Sequence, residues 1–186
     1  MLHTTFALLK LAGACGQKQG SGKGYDRLAT HLDGVSNYGK NTPIPLTTIL
    51  DSNGLGDALW CLHAVLPEEE TRRDRDARLL ACEYAERALQ RERDAGREPH
   101  PASWNAPRVS RLYALGEATQ KELQAVWSAA RSAAESAARS AAESAAWSAV
   151  WSAARSAAWG AAWSAAWSAE LEWQSARFRQ MLGKGA

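Results

Sequence analysis

The segment Thr119-Gln-Lys-Glu122, followed from Trp127 by Trp-Ser-Ala-Ala, Arg-Ser-Ala-Ala, Glu-Ser-Ala-Ala and onward to Trp167, decides the fold class. Thr followed three residues later by Glu is a capping box, in which each side chain satisfies a backbone N–H of the helix start. Ala is the strongest helix former and Ser is near neutral, so a long run of both predicts a helix. The variable position of the four-residue repeat is filled by Trp127, Arg131, Glu135, Arg139, Glu143, Trp147, Trp151, Arg155, Trp159, Trp163 and Trp167. Each repeat advances about 400°, roughly 40° past one turn, so the variable stripe winds around the helix. That drift is too fast for a left-handed supercoil to follow. A single helix over 120–180 would be about 90 Å long. A globular chain of this size is roughly 35–40 Å across. The repeat is therefore expected to project and associate, or to break into a hairpin, with Gly160 as the only irregularity where Ser is due.

The remainder also reads as helical. Leu28, Ala29 and Leu32 share one face of a short helix after the Gly/Lys-rich loop 16–24. Leu46 to Leu50 starts another, after the turn forced by Pro43 and Pro45. Leu55, Ala58, Leu59, Leu62 and Val65 form an apolar helix ending near Pro67. Residues 68–97 carry both charge signs on one face, with acid-first i,i+4 pairs such as Glu69–Arg73 and Asp74–Arg78. Ala77, Leu80, Ala81, Tyr84 and Ala88 form the opposite face. Gly96, Pro99 and Pro101 mark a linker, and Pro107 suits the first turn of a helix that Gly116 closes. The expectation is an all-α chain. A small N-terminal helical module, 1–66, packs with longer helices over 67–186. The linker is 96–104, and an Ala/Ser/Trp repeat helix or broken hairpin spans 119–182.

Composition narrows the function classes. The chain has 186 residues, 22 Lys+Arg and 20 Asp+Glu, so its net charge of +2 predicts neither nucleic-acid nor acidic-membrane binding. No run of about 18 apolar residues is present, which argues against a membrane span. Met1 to Ala12 lacks a basic start and reads as a first helix rather than a signal peptide. Three unpaired-looking cysteines, Cys15, Cys61 and Cys82, fit reduced thiols in a cytoplasm.

Chemical motifs are sparse. Gly22-Lys23 is followed by Gly24, not Ser or Thr, so the loop departs from a phosphate-binding P-loop. His3, His31, His63 and His100 lack zinc-type spacing. Asp51 and Asp57 flank a Gly-containing turn and read as turn and helix caps rather than as acid and base. No catalytic, cofactor-binding or metal-ligating residue is assigned, and the chain is expected not to be an enzyme. The candidate partner or oligomer interface is Trp147, Trp151, Arg155, Trp159, Trp163 and Trp167, with Arg131, Glu135, Arg139 and Glu143. Its plain alternative is a core stripe of Trp beside a solvated charge ladder.

Three blocks together carry a family resemblance. The first joins Gly24-Tyr-Asp-Arg-Leu, Tyr38-Gly, Thr42-Pro-Ile-Pro-Leu, Ile49-Leu-Asp-Ser-Asn-Gly-Leu and Asp57-Ala-Leu-Trp-Cys-Leu. The second is Arg78-Leu-Leu-Ala-Cys-Glu-Tyr-Ala-Glu. The third, Val109-Ser-Arg-Leu-Tyr-Ala-Leu-Gly-Glu-Ala-Thr, runs into the Ala-rich repeat. Over most of its length the chain resembles a family of small bacterial and phage-associated immunity proteins of toxin systems. It departs from the family pattern after Cys15, where the Gly/Lys-rich stretch is longer. The resemblance implies a cytoplasmic, non-enzymatic inhibitor that neutralises a protein target by occlusion, and brings no catalytic residues. The alternatives are a phage anti-defence protein, acting on a nuclease complex or sequestering a nucleotide signal, and a structural module that forms a homodimer or larger homo-oligomer.

Overall fold

The computed structural model describes residues 1–133 and 156–183. It has the all-α character expected, with one small addition. The chain opens with β1 (His3–Thr4), α1 (Phe6–Leu11), α2 (Gly24–His31), α3 (Val35–Tyr38) and β2 (Ile44–Pro45). It continues through α4 (Leu46–Asn53), α5 (Leu55–Trp60), two 3₁₀ turns (Cys61–Ala64 and Pro67–Glu69) and α6 (Glu70–Asp94). Then come α7 (Pro101–Ala114), α8 (120–133) and α9 (Ser156–Gly183).

The chain forms two compact units. One is Met1–Ala77 together with the end of α9 from Leu171; the other is Arg78–Glu170. In the first unit, Thr4 and Ile44 are partners in a two-residue antiparallel ladder, as are His3 and Pro45. Extended backbone was expected around Pro43 and Pro45, and the pairing is the new element. Proline has no N–H to give, which suits it to so short an edge. Strand β1 is also pinned by the segment 64–66. The Thr4 hydroxyl donates to the Ala64 carbonyl, and the Leu66 N–H donates to the His3 carbonyl. Glu69 receives the His3 backbone N–H at 2.6 Å and faces the His3 Nδ1 at 2.8 Å. Glu69 was expected to pair with Arg73 along a helix. It lies in a 3₁₀ turn instead, where i,i+4 geometry does not apply, and it turns to the N-terminal strand.

Leu2, Phe6, Leu28, Ile44, Leu46 and Ile49 are sealed in this unit's core. Phe6 meets Tyr25 edge-on at 5.3 Å between ring centres, and Tyr38 at 6.1 Å. Phe178 and Leu182, on the last turns of α9, are also fully buried. Arg179 is ion-paired with Asp51 at the end of α4, 128 positions earlier in the chain. Asp51 is thus the acceptor for a distant arginine rather than a turn cap.

In the second unit Leu80, Cys82, Val109 and Leu123 are buried. The α7 helix begins earlier than expected. Pro101 takes its first position, where no N–H is needed, and His100 caps it by accepting the Ala102 N–H. Pro107 therefore lies inside the helix, not in its first turn. Arg111 reaches the Glu86 carboxylate at 2.7 Å, and Arg78 lies 4.9 Å over the Tyr113 ring. Arg87 and Arg91 both pair with Glu170.

The capping box forms as expected. The Thr119 N–H donates to Glu122 at 2.7 Å, and the Glu122 N–H donates to the Thr119 hydroxyl at 3.2 Å. These bonds from Thr119 hold the Glu122 carboxyl below its usual range. A depressed carboxyl contributes stability above its unfolded value, and that contribution is lost as pH falls through the folded value. The entry to α8 should therefore fray on acidification. Hydrogen exchange at the Thr119 amide should accelerate in acid, after correction for intrinsic rates, and Glu122→Gln should abolish that pH dependence.

Candidate functional site

The loop between α1 and α2 carries Gly13, Gly16, Gly20 and Gly22. Its N–H groups resemble those of an anion-binding nest, but an internal carboxylate already occupies them. Asp26, buried on the first turn of α2, accepts the Gly20 N–H at 3.0 Å and the Gly22 N–H at 2.8 Å. Arg27 binds the Gly22 carbonyl from outside at 3.4 Å. A phosphate would have to displace Asp26 and meet its charge, so this loop is a structural closure.

Below the loop lies a cavity of about 280 Å³, within the first unit. Leu9, Ala14, Leu28 and Ile49 supply its apolar wall. Tyr25 and Trp60 supply aromatic faces, and Cys15, Asn53, Asp57 and Cys61 supply polar atoms. Cys15 is exposed, and Trp60 is 37% exposed, so both stand at the mouth. Local sequence explains how these groups meet. Gly54 separates α4 from α5 with a backbone φ of 90°, a conformation that favours glycine. The turn brings Asn53, the last residue of α4, against Asp57 on the first turn of α5. Asn53 Nδ2 donates to Asp57 Oδ2 at 2.8 Å and to the Gly24 carbonyl at 2.7 Å. Its Oδ1 accepts the Ser52 hydroxyl at 2.9 Å. The amide is thereby fixed, and it fixes the carboxylate.

Gly24 lies at a close approach. A Cβ there would sit 3.1 Å from Asp57 Oδ2 and 3.1 Å from the Cys15 sulfur. Gly56 differs: it lines the cavity on helical backbone with nothing within 4 Å of a Cβ position. Burial, aided by the Asp57 charge, pushes the Cys61 thiol up to about 12. That sulfur is a neutral wall of the cavity at physiological pH, not a nucleophile. Asp57 was expected to cap a turn or helix. It lies on the first turn of α5, and the cap position is Gly54. Among the described residues it has no ion-pair partner.

The residues singled out in the repeat are placed as follows. Arg131 is exposed near the end of the described part of α8. Trp159, Trp163 and Trp167 lie on α9. Glu135, Arg139, Glu143, Trp147, Trp151 and Arg155 lie outside the described residues, as does most of the repeat. Trp127, the first repeat position, is 52% exposed, and its indole N–H donates to the Ser110 hydroxyl at 3.2 Å. Sequence reasoning missed the cavity. Its residues come from five separate stretches between Leu9 and Cys61, and the one signal was the recurrence of Asn, Gly and Asp around the α4–α5 turn.

Among the described residues no group of His, Cys, Asp and Glu could hold a metal ion. No helix there is long and apolar enough to cross a membrane. No protein-family model, curated protein or solved structure matches the chain. The resemblance to immunity proteins accordingly rests on the quoted sequence blocks.

Proposed function

We propose that the chain is a non-enzymatic binding protein that neutralises a partner protein by occlusion, and that the cavity beside α5 is where the partner docks. The observation that carries this reading is the cavity itself. It is a preformed recess with apolar walls and a few fixed polar groups, the combination that binding sites share. At about 280 Å³ it suits one inserted side chain better than a drug-sized molecule. A single anchor in a well-packed recess commonly dominates the affinity of a protein interface, and surrounding charges set specificity. The Asn53 network ties Gly24 and Asp57 of the recess together before binding, which lowers the ordering cost. The family resemblance supplies the inhibitory role.

Gly56→Leu tests the docking site. Leucine suits the helical backbone, and at this lining position its side chain has open space to occupy. Native mass spectrometry of tagged protein from its own host should show a captured partner with the wild-type chain. The variant should retain its far-UV circular dichroism and lose that partner. Retained capture by a folded Gly56→Leu protein places the docking surface elsewhere.

A further inference from the structure

We infer that the cavity is a lysine receptor: it takes the alkylammonium side chain of a lysine presented by the partner, with Asp57 as counter-charge. This rests on the docking reading above and specifies its chemistry. The cavity wall is largely apolar, yet it contains a carboxylate that no described cation neutralises. No lysine or arginine is among the residues that line the cavity. Arg27 is directed to the Gly22 carbonyl. A carboxylate beside an apolar recess selects a ligand with an apolar stem and a cationic head, because the stem gains burial while the head gains a charge-assisted bond. Tyr25 and Trp60 add aromatic faces, which attract cations and repel anions.

The choice of ammonium over guanidinium follows from the hydrogen bonds. Asp57 Oδ2 already accepts from Asn53 at 2.8 Å, so Oδ1 is the less committed oxygen. Arginine recognition gains most from a two-point fork on both carboxylate oxygens. Lysine needs only a point charge on one.

Cys15 provides a local reporter. It is exposed and lines the cavity, whereas Cys61 and Cys82 are buried. Alkylation of the full chain by iodoacetamide should therefore mark Cys15 first, and occupancy of the cavity should slow it. The probes are Nα-acetyl-lysine N-methylamide, its Nε-acetylated form and the arginine equivalent. The lysine probe should protect Cys15 saturably. Its neutral acetylated form should need at least about tenfold more for equal protection, as expected for loss of one charge-assisted bond. Asp57→Asn keeps an acceptor for Asn53 and should reduce the lysine probe to the level of the acetylated one. Equal protection by the charged and neutral probes, no protection by the lysine probe, or stronger protection by the arginine probe overturns the inference. If Asp57→Asn does not fold, the probe comparison on the wild-type chain decides alone. Failure here leaves the Gly56→Leu capture result standing, and failure of that capture leaves this probe result standing.

Discussion

Replacing Phe178 with alanine should destabilise the first unit by about 3–5 kcal/mol, the cost of deleting a buried phenylalanine side chain and leaving its cavity. Phe178 has no exposed surface, and Leu182, one turn further on, has none either. Stability of an ordinary domain is only about 5–15 kcal/mol, so this one change removes a large part of it. The neighbouring ion pair is a natural contrast. Arg179 and Asp51 are each 51% exposed at the side chain, and exposed pairs contribute little. Arg179→Ala should therefore cost no more than about 1 kcal/mol. Two compact units need not unfold together, so a global melting curve is a poor readout. Alkylation of Cys61 reports on the first unit alone, because that thiol is only 4% exposed. Urea titrations followed by Cys61 labelling should show a large loss for Phe178→Ala and a small one for Arg179→Ala. Equal losses would mean that the end of α9 is held by charge rather than by packing.

The second large effect is alkaline. The Cys61 thiol is raised from 9.0 to about 12, first by burial and then by the Asp57 charge. In the unfolded chain the thiol ionises near its ordinary value, while in the folded chain it stays protonated. Between those two values the unfolded state holds fewer protons, so stability falls as pH rises. The slope is on the order of 1 kcal/mol per pH unit. The contribution is fully present below pH 9.0 and is lost progressively toward 12. Tyr25 is also raised by burial and acts in the same direction at higher pH. The informative quantity is therefore the difference between wild type and Cys61→Ala. Urea midpoints of the wild type should drop more steeply above pH 9 than those of the variant. Parallel curves would show that Cys61 titrates alike in both states.

Local signals in the sequence were sound where the chemistry was local. The Thr119–Glu122 box depends on residues three apart, and both of its bonds form. Cys61 and Cys82 sit among apolar sequence neighbours, and both are buried. The all-α class followed from apolar spacing along each helix. Contacts set by distant residues were not legible. Nothing at Glu69 announces His3, and nothing at Asp51 announces Arg179, because pairing across the fold leaves no local pattern. Pro107 shows how two local rules compete: Pro101 satisfied the same first-turn rule six residues earlier and took the helix start. The cavity was illegible for a similar reason. Asn53, Gly54 and Asp57 read as turn chemistry, which they are. Only the arrival of Gly24 and Cys15 from another stretch makes that turn one wall of a recess.

The membership of the end of α9 in the first unit also sets a timetable. Small domains near the start of a chain ordinarily fold while the rest is still being made. Here residues 1–77 are synthesised long before Leu171 and the turns that carry Phe178. At roughly 5–20 residues per second, the intervening stretch delays completion by about 5–20 s. The first unit is therefore completed only after the second has been synthesised. During that interval the nascent chain carries unfinished apolar surface, a period in which chaperones have something to hold.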